Sequence, residues 1–312
     1  MAKKILVAGS SNIDFVLNVK KMPQKGETIT SKAFNKIPGG KGANQACACG
    51  MLGGQCTFLS AVGTEGLGDI IVESLNKANV NTKQIEFTEN EPTGMAIISV
   101  DDCGENEIIL VPGANSICNY AYFMKNEDCI NEADIVISQL ETPPNDVYEL
   151  LNFAKKANKL TILNPAPAPD YLPEDVLQGL DYITPNETEL QRLTGMPTQT
   201  IDQISKAART LLSKGVKNVL VTIGPRGALL CSDKIEKQFL PYDVKPVDTT
   251  AAGDVFNAAI AVALAEERNI EDAIMFANAA SSIAITRKGA QTSIPTRSQT
   301  EQFITANTIM EG

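Results

Sequence analysis

Residues 133–167 read ADIVISQLETPPNDVYELLNFAKKANKLTILNPAP, and this stretch carries the pattern that decides the fold. Two short apolar runs, ADIVISQLE and LTILNPAP, are rich in β-formers and bounded by turn residues, as buried parallel strands are. Between them, NDVYELLNFAKKANK places apolar residues three and four positions apart, which is typical of a helix with one buried face. The stretch therefore predicts a strand, a helix and a second strand parallel to the first.

The same alternation runs through most of the chain. Other strand-like runs are KKILVAGS, TFLSAVG, LDYITPN and KNVLVTIG, and other helix-like stretches are LGDIIVESLNKANV and IDQISKAARTLLSKG. Strands and helices that alternate in this way build a parallel sheet covered by helices on both faces. We therefore predict one α/β domain, residues 1–312, with a doubly wound, mostly parallel sheet flanked by helices.

Two segments break this alternation. Residues 14–37 and 93–111 read as strand, polar turn and strand, with no helix signal between the strands. They predict a small antiparallel sheet inserted near the carboxyl ends of the main strands, where it would act as a lid over a site. Apolar residues alternate along these strands, for example Phe15, Leu17, Val19 and Ile97. An uncovered apolar face on this lid predicts a homodimer.

The composition of the chain limits the kinds of partner that the protein can bind. A net charge of −10 argues against binding nucleic acid or an anionic membrane surface, because both need clustered Lys and Arg. The amino terminus has an apolar run shorter than the about 7 to 15 residues of a signal peptide, and no apolar stretch is long enough to span a membrane. We therefore expect a cytoplasmic protein whose partners are small molecules.

The inventory of reactive side chains points to carboxylate chemistry. The chain has no histidine, which excludes Ser-His-Asp and Cys-His nucleophilic sites and histidine-bound zinc. Its 7 cysteines form no C-x-x-C pair, so neither a disulfide framework nor a thiolate zinc site is indicated. There is no G-x-x-x-x-G-K-[ST] loop and no G-x-G-x-x-G after the first strand, which disfavours P-loop enzymes and dinucleotide-dependent oxidoreductases.

Glycine and other small residues cluster at two predicted helix starts. The first is IPGGKGANQACACG at residues 37–50, where GGKG opens a helix-like run and presents free N–H groups to an oxygen-rich ligand. A tight turn packed for close helix contact explains this stretch equally well.

The second is DTTAAGD at residues 248–254, which precedes the apolar run VFNAAIAVALAEE. A helix that starts near Ala252 directs the amides of Ala251, Ala252, Gly253 and Asp254 toward an anion such as a transferring phosphoryl group. Asp254 in that first turn would accept a proton from an attacking hydroxyl. The alternative is an ordinary helix cap in which Asp248 forms the turn.

Taken together, the motifs resemble those of the ribokinases, within the PfkB-type carbohydrate kinase family, over residues 4 to about 296. The similarity rests on the order and spacing of a series of motifs: GSSNID, PGGKGANQA (38–46), QLE (139–141), NPAPA (164–168), TPNETE (184–189), TIGPRG (222–227), DTTAAGD and TRKGAQTS (286–293). The GGKGAN and DTxAAGDxFN motifs in this order are highly specific.

The resemblance implies roles for individual residues. Asp254 matches the catalytic base, and Asp254, Ala251, Ala252 and Gly253 match the catalytic turn. Residues that match the sugar site are Asn12, Asp14, Gly40, Lys41, Asn44, Glu141 and Asp254. Such carboxylates and amides suit the hydroxyls of a neutral polyol. Residues that match the ATP site are Asn186, Thr222, Gly224, Gly227, Ala252, Gly253 and Asn278.

The resemblance also implies two metal ions. Asn186 and Glu189 match an N-x-x-E pattern that organises Mg²⁺ through water, which agrees with the reluctance of Mg²⁺ to lose its waters. Positions that match a K⁺ site are Asp248, Thr250, Ala284, Arg287, Gly289 and Ser293. In that case the ion would neutralise Asp248 and fix the shape of the 248–254 loop before ATP binds. The alternative is that Asp248 only caps the turn.

The activity implied is ATP-dependent phosphorylation of D-ribose at its 5-hydroxyl, which gives D-ribose 5-phosphate and ADP. Alternatives within the fold are a kinase for deoxyribose, fructose or a nucleoside. A sugar-binding relative without catalysis is a further alternative, but it would be expected to lose Asp254 or the small-residue turn, and both are present.

Overall fold

The computed structural model describes residues 3–310, so residues 1–2 and 311–312 of the predicted 1–312 domain lie outside the described residues. The strands are β1 (Lys4–Ala8), β2 (Asn12–Asn18), β3 (Ala33–Gly39), β4 (Gln55–Leu59), β5 (Ala61–Gly63), β6 (Glu86–Thr88), β7 (Gly94–Val100), β8 (Asn106–Val111), β9 (Ile135–Ser138), β10 (Leu160–Leu163), β11 (Tyr182–Ile183), β12 (Asn218–Thr222), β13 (Ala228–Ser232) and β14 (Glu236–Phe239). The helices are α1 (Lys41–Met51), α2 (Leu67–Lys77), α3 (Tyr120–Lys125), α4 (Glu127–Glu132), α5 (Pro144–Lys156), α6 (Glu174–Leu177), α7 (Glu187–Thr194), α8 (Ile201–Ser213), α9 (Ala252–Ala265), α10 (Ile270–Ala284) and α11 (Arg297–Met310). None of these described helices has the length and apolar sequence needed to cross a membrane.

The main sheet has the strand order β14-β13-β12-β11-β10-β9-β1-β4. Strands β4, β1, β9, β10, β11 and β12 pair in parallel, whereas β13 and β14 extend the edge in antiparallel fashion. The predicted mostly parallel sheet is confirmed. Residues 133–167 form β9, α5 and β10, the predicted strand, helix and parallel strand.

Alternate residues of each central strand enter different cores, because successive side chains of a strand point to opposite faces. In β1, Ile5 and Val7 pack in the core that contains α1, α9 and α10. The intervening Leu6 and Ala8 pack with α3, α4 and α5 on the other face. Helices therefore cover both faces, and the predicted doubly wound architecture is confirmed.

The order of the strands creates a crevice beside β1. The chain leaves β1 toward β4 on one side, while β9 lies on the other side of β1. Ligands of open α/β sheets bind where the strand order reverses, at the carboxyl ends of the strands. The segments that follow these ends are residues 9–11 after β1 and residues 139–141 after β9, and both carry polar motifs.

A second sheet begins directly beyond this crevice, with the order β3-β2-β7-β8. It consists of two antiparallel hairpins, β2–β3 and β7–β8, whose inner strands β2 and β7 pair in parallel. Its hairpins span residues 12–39 and 94–111, close to the predicted 14–37 and 93–111. In this register Asp14 lies between Ile37 and Ala96.

Candidate active site

The amino end of α9 presents free backbone amides. Ala251 precedes the helix in the left-handed region, with φ of 60°, and α9 begins at Ala252 as the sequence predicts. The Ala252 amide differs from the prediction, because it donates to the Thr249 carbonyl at 3.2 Å and so closes the turn. In the described chain no hydrogen bond uses the amides of Ala251, Gly253 and Asp254, which leaves them available to an anion.

Asp254 lies in the first turn of α9 with only 7% of its surface exposed. Asn44 Nδ2 donates to its Oδ2 at 3.0 Å, and Gln45 Nε2 donates to its Oδ1 at 3.1 Å. Burial raises the pKa of Asp254 to about 6, although the charge of Lys41 and the two amide donors oppose this rise. The carboxylate is therefore less readily ionised than a position at a helix amino end alone predicts, and its pKa suits a general base near neutral pH.

Asp14, Glu141 and Lys41 surround Asp254 with further charges. Burial raises the pKa of Asp14 to about 7, and the negative charges of Glu141 and Asp254 add to this effect. Burial lowers the pKa of Lys41, but the charges of Asp254, Glu141 and Glu189 outweigh burial and raise it above its ordinary value. A positively charged Lys41 therefore stands among carboxyl groups that can accept hydrogen bonds from hydroxyls.

Glu141 and Asn44 are oriented toward this group by their other contacts. Glu141 Oε2 accepts hydrogen bonds from Ser10 Oγ at 2.6 Å and from the Lys41 amide at 3.0 Å. Asn44 donates to Asp254, while its buried Oδ1 has no hydrogen-bond partner among the described residues. A buried acceptor without a partner is costly, and a ligand hydroxyl would satisfy it.

Asn12, at the start of β2, and Gly40, directly after β3, form one wall of the pocket. Asn12 Oδ1 accepts a hydrogen bond from Asn115 Nδ2 at 2.7 Å, so the Nδ2 group of Asn12 is left to donate to a ligand. Gly40 adopts φ of 87°, and a Cβ atom there would lie 2.8 Å from the Asn12 amide nitrogen. Glycine at this position therefore allows β3 to approach β2 and still turn into α1.

A cavity of about 850 Å³ lies on the other side of the α9 amino end. Its walls come mainly from the end of β12 and the residues that follow it, the 240–249 segment, α9 and α10. The structure brings together in this cavity every residue predicted for the ATP site: Asn186, Thr222, Gly224, Gly227, Ala252, Gly253 and Asn278. The volume and largely apolar walls suit a small organic ligand. The amides of α9 stand between this cavity and the carboxyl groups around Asp254.

Asn186 and Glu189 form the cap of α7. Asn186 Oδ1 accepts from the Glu189 amide, and Glu189 Oε2 accepts from the Asn186 amide, both at 2.8 Å. Burial raises the pKa of Glu189 despite the hydrogen bond from Asn186 and the charge of Lys41. Among the residues described, no group of three or more His, Cys, Asp or Glu is placed to hold a metal ion directly. The pair therefore suits contacts to a hydrated ion rather than direct chelation.

Asp248 joins the turn before α9 to the segment after α10. Its Oδ1 accepts from the Thr250 amide at 2.9 Å and the Thr250 hydroxyl at 2.6 Å, and its Oδ2 accepts from the Gly289 amide at 2.9 Å. Partial burial raises the pKa of Asp248, but these hydrogen bonds and the charge of Lys288 outweigh it and hold the pKa below its ordinary value. The other residues of the predicted potassium site lie on the segment that carries Gly289: Ala284, Arg287 and Ser293.

Gln45 is a residue of this site that the sequence reasoning missed. It contacts Asp254 as directly as Asn44 does. A usable signal was present, because Lys41, Asn44 and Gln45 have the spacing i, i+3 and i+4 that puts side chains on one face of a helix. Ser10 and Asn115 were missed as well, and they act on Glu141 and Asn12 from distant parts of the sequence, for which local spacing offers no signal.

The chain is similar over nearly its whole length to known carbohydrate kinases. The sequence profile of the pfkB family carbohydrate kinases matches residues 2–297. A ribokinase of Haemophilus influenzae is 38% identical over 304 residues, which cover 97% of this chain and 99% of that protein. The crystal structure of a Thermotoga maritima ribokinase superposes with a TM-score of 0.88 at 41% identity, and covers 97% of this chain and 99% of its own. A structure of Arabidopsis thaliana ribokinase complexed with ribose and ATP gives a TM-score of 0.90 at 36% identity, with coverage of 97% and 99%. The chain therefore belongs to the pfkB family of carbohydrate kinases.

Proposed function

We propose that the protein transfers the γ-phosphoryl group of ATP to the 5-hydroxyl of D-ribose and releases D-ribose 5-phosphate and ADP. The observation that carries this proposal is the position of Asp254 and the α9 amides between a polar, carboxylate-rich pocket and an 850 Å³ cavity. Ribokinases that share this fold at 36–41% identity support the choice of ribose and ATP.

Asp254 acts as the general base. It takes the proton of the ribose 5-hydroxyl as the new bond between that oxygen and the γ-phosphorus forms, and the bond from the γ-phosphorus to the ADP oxygen breaks. The amides of Ala251, Gly253 and Asp254 then stabilise negative charge on the transferring group, because they are fixed before the reaction begins. Phosphoryl transfer depends mainly on such positioning and charge stabilisation.

Residues at the end of the sheet select the sugar. Asp14 and Glu141 accept hydrogen bonds from hydroxyls, Asn12 donates through Nδ2, and the unpartnered Oδ1 of Asn44 accepts. The remaining members of the proposed sugar site are Gly40, which shapes the wall, and Lys41, which offsets the negative charge. The β2–β3 and β7–β8 hairpins cover the bound sugar and exclude water that would otherwise hydrolyse ATP.

The residues of the cavity fit a nucleotide and a hydrated magnesium ion. Asn186 and Glu189 would hold Mg²⁺ through its waters, and the ion would neutralise charge on the phosphates of ATP. Thr222, Gly224, Gly227 and Asn278 line the part of the cavity assigned to the rest of ATP. Gly227 leaves no room for a side chain, because a Cβ atom there would overlap the Phe239 carbonyl oxygen.

A potassium ion fits the segment around Asp248. An Asp held in its ionised form beside Thr250 and Gly289 supplies the negative charge that such an ion needs. Backbone oxygens of Thr250, Ala284, Arg287 and Gly289, with Ser293, would complete the site. The ion would shape the 248–254 turn and so aim the amides of α9 without touching the substrate.

Assembly and location extend the proposal. The protein is a homodimer that joins through the lid sheets, and it acts in the cytoplasm on small molecules, without a nucleic-acid or membrane partner. Support for the dimer comes from β8, where Ile108, Ile109 and Leu110 are all exposed although both faces of the strand are apolar.

The experiment that tests the proposed function measures ADP release with ribose, deoxyribose, fructose and adenosine in parallel. Ribose should give the highest kcat/KM, and ADP release without any acceptor should be slow. If deoxyribose, fructose or adenosine gave a higher kcat/KM than ribose, that compound would replace ribose as the proposed substrate. If the protein bound ribose but released no ADP with any of the acceptors, it would be a sugar-binding protein.

A further inference from the structure

We propose that Gln45 and Gln139 are positioning residues that hold Asp254 in its reactive orientation and keep it ionised near neutral pH, an inference that rests on the proposed function. They belong to a buried chain of amide side chains beneath Asp254. The ribose and ATP sites described above do not account for these side chains.

Gln45 is fixed through all of its polar atoms. Its Nε2 donates to Asp254 Oδ1 at 3.1 Å and to Asn164 Oδ1 at 3.2 Å, while its Oε1 accepts from Gln139 Nε2 at 2.6 Å. Gln45 is fully buried, so water does not compete for these bonds. The donor group of Gln45 is therefore aimed at the carboxylate by the two residues behind it.

Gln139 supports the orientation of Gln45. Its Nε2 donates to the Oε1 of Gln45, which matches the orientation in which Gln45 turns its donors toward Asp254 and Asn164, while the Oε1 of Gln139 itself has no hydrogen-bond partner among the described residues. Gln139 itself is buried against the end of β1, where a Cβ atom at Gly9 would overlap its Oε1. The absence of a side chain at Gly9 thus makes room for the residue that orients Gln45.

The same network reaches α9 a second time. Asn164 Nδ2 donates to the Thr184 carbonyl at 3.2 Å, and the Thr184 hydroxyl donates to Asn257 Oδ1 at 2.5 Å. Asn257 Nδ2 in turn donates to the Gly253 carbonyl at 2.8 Å. Several motifs of the sequence therefore contribute one polar side chain each to a single support under the first turn of α9.

The charge environment explains why an uncharged donor matters here. The charged groups that act on Asp254 are Lys41 on α1, Glu141 after β9, Asp14 on β2 and Glu189 on α7. Burial is the main cause that raises the pKa of Asp254, and the hydrogen bonds from Asn44 and Gln45 are among the causes that lower it. Loss of the Gln45 donor should therefore make Asp254 harder to ionise.

The test compares Gln45→Met and Gln139→Met with the wild type, because methionine keeps the length of glutamine but cannot donate a hydrogen bond. We expect the ratio of variant to wild-type kcat/KM for ribose to be about threefold lower at pH 6 than at pH 8, since a less readily ionised base loses activity first at low pH. Cys47→Ala, a buried change on the same helix, is the matched control and should give the same ratio at both pH values.

A second measurement does not depend on activity. The ¹³C resonance of the Asp254 carboxyl, assigned by its loss in Asp254→Asn, should titrate at higher pH in both glutamine variants of the sugar-free protein. If Gln45→Met does not fold, Gln139→Met carries the test, because it leaves Gln45 in place. An unchanged titration midpoint together with a pH-independent activity ratio would overturn the inference. A wild type inactive with every sugar would instead overturn the proposed function.

Discussion

At the scale of single residues, Asp254 meets two requirements that oppose each other. As the proposed general base it must lie in a site closed to water, so that the phosphoryl group reaches the sugar, yet burial favours the protonated form that cannot act as a base. Donors from Asn44 and Gln45 and the charge of Lys41 offset part of this effect. The resulting pKa of about 6 leaves the carboxylate mostly ionised at neutral pH.

Replacement of Asp254 by Asn keeps the size of the side chain but removes the proton acceptor. Turnover should fall by about 10²- to 10⁴-fold, the usual contribution of a positioned general base, while the affinity for ribose changes far less. Steady-state kinetics and ribose titration calorimetry measure the two effects separately. Asp233→Asn, at an exposed turn, is the control. Turnover close to the wild-type value in purified Asp254→Asn would remove Asp254 from the mechanism.

The pH dependence of the wild type follows from the same group. Because Asp254 has a raised pKa of about 6 and must be ionised to accept a proton, kcat/KM should fall as the pH is lowered through 6. The missing histidines leave the buried carboxyl groups as the candidates for this transition. A pH series from 5 to 8 with ribose measures it, and an acid limb near pH 4 would show that burial does not act on the base.

Most of the residues in the pocket were predictable from motifs, but their couplings were not. Asp254, Asn44 and Lys41 stand in local patterns whose spacing indicates a site. Gln139 acts on Gln45 across 94 residues of sequence, and this contact exists only because β9 and α1 meet behind Gly9. Burial, and with it the pKa of Asp254, likewise depends on the packing of the whole chain.

At the scale of elements, the turn before α9 is where the proposed potassium ion can be tested. Asp248→Ala removes hydrogen bonds to Thr250 and Gly289, and with them the charge that would hold the ion. If the ion shapes the turn, wild-type activity should be several-fold higher in potassium than in sodium or a bulky organic cation, and Asp248→Ala should not respond.

Constant ionic strength and saturating magnesium are the controls for this comparison, because surface charges also respond to salt. Equal wild-type activity in the three salts would show that Asp248 serves only as a cap of the turn.

The sequence patterns predicted some helices and strands more accurately than others. The β9–α5–β10 unit has a clear helical period between two apolar runs, and the structure confirms it. The start of α9 was also predicted, but the bond from the Ala252 amide to Thr249 was not, because a small-residue turn allows several closures. The lid hairpins were placed to within a few residues, while the parallel pairing of β2 with β7 depends on contacts between distant segments.

At the scale of the whole molecule, the exposed apolar surface of the lid supports the proposed homodimer. Phe34 is 51% exposed and Ile109 is 67% exposed, beside Ile108 and Leu110 on the same sheet. Phe34 lies on β3 and the other three residues lie on β8, and these are the two edge strands of the sheet. The residues that the sequence pattern singled out lie farther in: Phe15, Leu17 and Ile97 are half-buried, and Val19 is buried. Edge position was not readable from the alternation of residues alone.

A homodimer should therefore be the main species in sedimentation velocity at micromolar concentration. Ile109→Glu should shift the protein to a monomer, because a charge would be buried in the interface. Tyr171→Glu, a change at a strongly exposed residue outside the lid sheet, should leave the dimer intact. A wild type that sediments as a monomer would refute the dimer.

The raised pKa values of the buried carboxyl groups also bear on resistance to heat. A carboxyl group whose pKa is raised on folding stabilises the folded protein most below its unfolded pKa, and this contribution is lost as the pH rises through the folded value. For Asp14 and Asp254 those folded values are about 7 and about 6, so the sugar-free protein should melt at a lower temperature at pH 8 than at pH 5.5. Asp254→Asn should melt above the wild type at pH 8, and the gap should narrow as the pH is lowered. Calorimetry would then detect, as lost thermal tolerance, the same buried charge on which the proposed mechanism depends.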